Sequence, residues 1–345
     1  MPSLVWIGFL VFILAMVALD LGVFHRRAHV TTLREALGWT SAWVTLALTF
    51  NVVVYFLYEK GMAAPGAHAL SGRDAALQFF TGYLLEYSLS VDNIFVIALI
   101  IAFFRVPPMV QHRLLFWGVL GAVVFRGIMI GIGAILIARF DWIMYVFGVL
   151  LLISAVKMLV AREDNIHPDN NLLVRLTRRL YPVASEYDGS RFFTRVAGVH
   201  AITPLFLALM LIESSDVMFA IDSIPAIFAV TQDPFLVFTS NIFAILGLRS
   251  LYFALAGLMG KFRYLKVSLV FLLAYIGVKM LLVHHFKIPN EVSLGIIVGI
   301  LSVGVLASLW ASRYDAGAHS SDRPSSPEAL SAEELPDRSP ENVDR

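Results

Sequence analysis

Nine stretches of this 345-residue chain are long and apolar enough to cross a bilayer, and nothing else in the sequence narrows its folding options as far. They run roughly over residues 3–24, 36–58, 75–103, 114–137, 142–160, 203–229, 235–259, 266–283 and 291–311. Hydrocarbon offers no water to backbone N–H and C=O groups, so each run has to satisfy its own hydrogen bonds as a helix. Only 15% of the residues are charged, against about 25% in a soluble domain, and 59% are hydrophobic. A soluble globular fold is excluded, and an all-α polytopic membrane protein with about nine transmembrane helices is expected. The first run is expected to remain as a span: MPSLVW carries no basic segment, the apolar stretch is too long for a signal peptide, and no A-x-A site follows.

Basic residues orient the spans, because cytoplasmic loops collect Lys and Arg. With the N-terminus outside, the inner loops hold fifteen Lys and Arg and the outer loops four. The expectation is therefore an inner-membrane, multi-pass chain with its N-terminus out and C-terminus cytoplasmic. The net charge of +1 conceals an acidic tail, since residues 314–345 carry eight acids and three bases. That tail is rich in Ser, Pro, Asp and Glu and is expected to be disordered. Residues 161–202 form a cytoplasmic loop, with a short surface helix expected near Leu172–Leu180. The absence of cysteine excludes disulfides, thiolate metal sites and cysteine nucleophiles.

Two segments look like copies of one unit. Ser90–Ile97 reads S-V-D-N-I-F-V-I, and Ser214–Ile221 reads S-S-D-V-M-F-A-I. Arg126 follows Asp92 by 34 positions, and Arg249 follows Asp216 by 33. The third span of each unit ends in V-K-M-L, at Val156–Leu159 and Val278–Leu281. Each unit has three spans, and an odd number inverts the second copy in the membrane. The expected organisation is two N-terminal spans (1–74), a first three-helix repeat (75–160), the loop (161–202), a second, inverted repeat (203–283), a last span (284–313) and the tail (314–345). Inverted repeats recur in secondary transporters, whose substrate sites lie near the midplane between the copies.

The carboxylates inside the spans carry the functional signal. Glu86 and Asp92 fall in the third span, and Glu213, Asp216 and Asp222 in the sixth. Each costs roughly 2.5–3.5 kcal/mol at mid-bilayer even on the permissive insertion scale. Ion pairing with the charge-balancing Arg126 and Arg249 accounts for two of the five and leaves three. At about 100° per residue, Glu86 and Asn93 share a helix face, while Glu213 and Asp222 point in opposite directions. All five cannot hold one ion unless a helix breaks, and Pro225 in D-S-I-P-A offers a place for a break. The spacing favours a central site of Asp92, Asn93 and Asp216, with Glu86, Glu213 and Asp222 as relay or access groups. Carboxylate, amide, hydroxyl and carbonyl oxygens suit a hard divalent cation such as Mg, Ca or Mn, without choosing among them.

These same segments resemble the TerC family of bacterial integral membrane proteins. The resemblance is carried by L-E-Y-S-L-S-V-D-N-I-F-V-I (Leu85–Ile97), I-E-S-S-D-V-M-F-A-I-D-S-I-P-A-I-F-A-V-T (Ile212–Thr231) and S-N-I-F-A-I-L-G-L-R-S-L-Y-F (Ser240–Phe253). The long loop and nine spans resemble its Alx-type branch, which implies manganese export; the family is also linked to tellurium resistance. By this resemblance Asp92, Asn93, Glu213, Asp216 and Asp222 match the family's acidic motif positions, and Glu86 goes with them. The expected function is export of a divalent metal ion, Mn²⁺ by resemblance, as transported substrate, with no resident cofactor. Protons are expected to exchange on the emptied carboxylates. The expected partners are the metal ion, protons and the lipid bilayer, with no nucleic acid. A non-transporting membrane scaffold or stress-resistance factor is the alternative. An enzyme is not expected, because the spans hold no H-E-x-x-H, serine–lysine or G-x-S-x-G arrangement.

Overall fold

The fold is taken from a computed structural model, which describes residues 2–22, 32–63, 70–160, 171–196, 198–256, 265–283, 285–286 and 288–321. Eleven helices are described, in the order α1 (Pro2–Gly22), α2 (Leu33–Glu59), α3 (Gly72–Phe103), α4 (Pro108–Arg139), α5 (Ile143–Val160), α6 (Leu172–Leu180), α7 (Pro204–Phe228), α8 (Pro234–Leu246), α9 (Leu248–Ala256), α10 (Leu265–Leu281) and α11 (Asn290–Ser321). Two short strands, β1 (Phe193–Val196) and β2 (Val199–Ile202), lie between α6 and α7.

Local chemistry sets where the helices start. Thr32, Ser71, Asn171 and Asp233 stand at N-caps and accept bonds from the first free amides of α2, α3, α6 and α8. Pro108, Pro204 and Pro234 occupy the first turns of α4, α7 and α8, where a missing N–H costs nothing. Side chains such as Ile128, Ile135, Ile153, Phe271 and Leu306 are more than half exposed. In water so many exposed apolar residues would be a liability; in a bilayer they are the lipid-facing surface.

Among the described residues, six helices are long and apolar enough to cross a membrane: α2, α3, α4, α5, α7 and α11. The pair α8 and α9, bent by 41° at Gly247, makes a seventh if counted as one span. Of the expected nine, α1 and α10 do not meet this criterion. Helix α10 has only 17 residues, and the side chains of α1 are described from Ser3 to Met16 alone. Helix α11 runs on to Ser321, past the point where the acidic tail was expected to begin; residues 322–345 lie outside the described residues.

The interior is built around α3, α7 and α8. Helix α8 is buried on every side, with only Pro234 and Phe238 less than fully enclosed. An aromatic cluster of Phe9, Phe50, Phe79, Phe235 and Phe243 ties it to α1, α2 and α3, with Phe50 and Phe243 ring centres 4.7 Å apart. Helices α5 and α10 cross where Gly148 meets Gly277. A Cβ on either glycine would lie 3.0 Å from the other's carbonyl oxygen. Gly148 also faces Leu281, and Gly277 faces Leu152, so each glycine admits a leucine of the other helix.

Two features depart from the sequence expectation. The break expected at Pro225 is not there: α7 is continuous to Phe228 with the proline inside it, so Ile221 O loses its helical donor without the helix ending. The break lies in the following span, at Gly247. The expected surface helix at Leu172–Leu180 is present as α6, but the loop also contains the β1–β2 hairpin, paired Phe193↔Ile202 to Val196↔Val199. Gly198 takes a φ of +82° in its turn, a conformation that only glycine adopts freely.

Candidate functional site

Arg126, 1% exposed near the middle of α4, is the hub of a buried polar cluster. Its Nε and Nη2 donate to the two oxygens of Asp216 at 3.2 and 2.9 Å, the forked pairing that suits guanidinium to carboxylate. Its Nη1 donates to Ser223 Oγ and Asn241 Oδ1, each at 3.3 Å, and pairs with Glu86. One cation therefore holds α3, α7 and α8 together. Asp216 and Ser223 are seven residues apart, two helical turns, so α7 presents both on one face. Asn241 Nδ2 donates to Val237 O at 2.9 Å within α8, which turns the amide oxygen towards Arg126.

The other acids diverge, as their helical spacing requires. Glu213 is 6% exposed and packs against Gly121 of α4, where a Cβ would overlap its carboxyl group. Asp222 lies on a different face of α7 and accepts a bond from Ser154 of α5. Asn93 is buried on the α3 face that carries Glu86, while Asp92 is half-buried and interacts with a neighbour of its own. Along α3, Asp92 and Glu86 are about 9 Å apart. Among the described residues, Oε2 of Glu86, Oε2 of Glu213 and the hydroxyl of Ser90 are buried with no hydrogen-bond partner. A buried oxygen without a donor costs about 1–3 kcal/mol, more for a charged group, unless a proton or ion meets it.

Beside Asp216 is a cavity of about 20 Å³, lined by Ile97, Gly118, Ala122, Ile212, Asp216 and Arg249. That is room for one water or one small ion. Among the described residues, no three His, Cys, Asp or Glu side chains form a ready-made ligand set. Any ion here would have to draw on the amide, hydroxyl and carbonyl oxygens of the cluster as well as its carboxylates.

The segment between α5 and α7 reaches this region. Asn171, the N-cap of α6, donates to Ser214 Oγ at 2.8 Å, two residues before Asp216. At the other end of α6, Pro182 O accepts from Ile202 N just before α7 begins. Helix α6 therefore lies along the first half of α7, antiparallel to it, with Val174 fully buried. The hairpin segment is fastened to the ends of α3 and α4. Tyr187 donates to Phe104 O at 2.7 Å, and Arg113 donates to Ser190 while its guanidinium lies over the Phe192 ring. Burial pushes the Tyr187 hydroxyl above its usual pKa of 10.0, so it stays a donor. Residue order offered no sign of the Asn171–Ser214 and Ser154–Asp222 contacts. Ser223 had one usable signal, its seven-residue spacing from Asp216.

Residues 71–316 match the integral membrane protein TerC family. The chain belongs to the TerC family. The match begins at the N-cap of α3 and takes in every carboxylate and arginine of the cluster. An uncharacterized membrane protein of Myxococcus xanthus, STKORF319, is 51% identical over 309 residues, 90% of this chain and 93% of that protein. The Alx protein of Escherichia coli (strain K12), named as a candidate membrane-bound redox modulator, is 47% identical over 316 residues, 90% of this chain and 96% of its own. A membrane protein of Rickettsia bellii is 38% identical over 304 residues, 88% and 96% of the two chains. No solved structure matches the chain.

Proposed function

We propose that this TerC-family protein exports a hard divalent cation, Mn²⁺ above all, from the bacterial cytoplasm across the inner membrane. The observation that carries the reading is the imbalance at the cluster. Two buried carboxylates, Glu86 and Asp216, share Arg126, a third, Glu213, is buried about one turn before Asp216 on α7, and Glu86 and Glu213 each keep an oxygen with no donor among the described residues. A purely structural ion pair needs one acid for one guanidinium. The surplus suits an oxygen-coordinated ion in transit, with protons replacing it on the emptied carboxylates. The transported ion passes Asp92, Asn93 and Asp216, with Glu86, Glu213 and Asp222 as relay or access groups.

Two features support a transporter. Helices α5 and α10, the third span of each proposed unit, pack in close contact at Gly148 and Gly277, as the matching helices of two paired units would. Helix α8 stops inside the protein and bends into α9, a broken span of the kind that lines transporter sites. In this reading nine spans cross the membrane, with the N-terminus outside and α6 on the cytoplasmic side. The name of the Escherichia coli relative points to redox modulation. A chain without cysteine has no dithiol to act through, and in this reading the redox effect follows from the metal it moves.

A scaffold reading is favoured by one observation, the tight Arg126–Asp216–Glu86 linkage between helices. Efflux of radiolabelled manganese separates the two. In cells lacking their own manganese exporters, the wild-type protein should empty the preloaded metal and Asp92→Asn, at matched membrane expression, should not. Equal efflux from both, or none from either, favours the scaffold.

A further inference from the structure

We propose that Arg126 is a tethered cation that competes with the transported ion for Asp216, so that the ion binds by displacing a guanidinium and leaves when the guanidinium returns. The inference rests on the exporter reading and adds a residue that acts on affinity and release.

Both oxygens of Asp216 are engaged by Arg126, through two separate nitrogens at 2.9 and 3.2 Å. A hard divalent ion binds carboxylate oxygen at about 2.0–2.6 Å. Held there, it would lie within about 5 Å of the guanidinium, in a site almost closed to water (Arg126 is 1% and Asp216 9% exposed). Two like charges that close, with little solvent between them, exclude one another. Arg126 cannot resolve the conflict by losing its proton, because guanidinium stays charged in proteins.

The cluster also provides somewhere for the guanidinium to go. Its Nη1 is held on the side away from Asp216 by Glu86, Ser223 and Asn241. These three partners can keep the charge satisfied after Asp216 lets go, so a small rotation of one side chain suffices. Glu86 supplies the alternative carboxylate, which gives a reason for an acid on α3 facing an arginine that is already paired. Asn241 is anchored by its own bond to Val237 O and fixes the resting position. An ion held without such a competitor would bind tightly and be released slowly.

The test uses the full chain reconstituted in liposomes, with Mn²⁺ as the probe, measuring both binding affinity and initial transport rate. Arg126→Gln should bind Mn²⁺ at least tenfold more tightly while transport falls at least tenfold. A merely structural arginine would lose both together. If Arg126→Gln fails to fold, Arg126→Lys keeps the charge but not the fork, and should tighten Mn²⁺ binding several-fold. Glu86→Gln removes the alternative partner and should weaken Mn²⁺ binding several-fold. If the wild type binds Mn²⁺ and neither arginine variant binds it more tightly, the competition is refuted and the exporter reading stands. If the wild type neither binds nor moves Mn²⁺, the exporter reading falls and takes the competition with it.

Discussion

Gly121 gives the sharpest quantitative test of the site's geometry. Its missing side chain makes room for the carboxyl group of Glu213, which a Cβ at that position would overlap. Two opposed terms then act on Gly121→Ala. Alanine favours an α-helix interior over glycine by about 0.5–1 kcal/mol. Displacing a packed group to fit an extra methyl costs typically 1–3 kcal/mol. In the wild-type background the net change should lie between about neutral and about 2.5 kcal/mol destabilising. With the carboxyl removed by Glu213→Ala, only the propensity term remains, and the same glycine substitution should stabilise by about 0.5–1 kcal/mol. The double-mutant cycle should therefore show a coupling of about 1–3 kcal/mol between positions 121 and 213. Unfolding of the four proteins in mixed micelles measures it. A Gly121→Ala effect of the same sign and size in both backgrounds would show that Gly121 does not accommodate Glu213.

Three further outcomes follow from named contacts. Asp216→Asn keeps the shape but withdraws the charge facing Arg126, and should cost about 1.5–3 kcal/mol of unfolding free energy in micelles; a change below 0.5 kcal/mol would deny that the pair is buried and engaged. Asn171→Ala removes both the cap of α6 and the bond to Ser214, and should cost about 1 kcal/mol locally, read as roughly fivefold faster hydrogen exchange over residues 172–180 with α8 unaffected. Tyr187→Phe should loosen the loop from the end of α3 and speed proteolysis between α6 and α7. Because burial raises the Tyr187 pKa above its unfolded value of 10.0, the bond's contribution should be fully present below about pH 10 and lost as pH climbs through the folded value. Loop protection that declines between pH 6 and pH 8 in the wild type but not in Tyr187→Phe would contradict that assignment.

Much of the architecture could be read from residue order, because bilayer helices must be apolar for about twenty residues and end where charge resumes. The expected span at 203–229 is α7 at Pro204–Phe228, and that at 142–160 is α5 at Ile143–Val160. The expected surface helix at Leu172–Leu180 is α6. Tertiary facts were harder. Proline looked like the breaker in span six, yet α7 runs through it to Phe228, and the bend falls instead at Gly247, beside Trp43 and Tyr87. The hairpin after α6 was hidden because strands of four residues are too short to show a clear alternation. The acids themselves were conspicuous, since charge inside an apolar run demands a cause. Their partners were not: Asn241 and Ser154 look like ordinary interhelical polar residues until packing brings them to Arg126 and Asp222. Helical phase had already separated Glu213 from Asp222, and the structure sends them to different neighbours, α4 and α5.

In the proposed function, buried carboxylates carry a divalent ion across the membrane. The most direct measurement is Mn²⁺ flux into liposomes containing the purified full-length chain, with and without an opposing pH gradient, compared with Asp216→Asn reconstituted at equal density. The account predicts saturable Mn²⁺ entry, faster when protons flow the other way and abolished by the single amide. Flux that Asp216→Asn leaves unchanged, or liposomes that take up no more Mn²⁺ than empty ones, would contradict it.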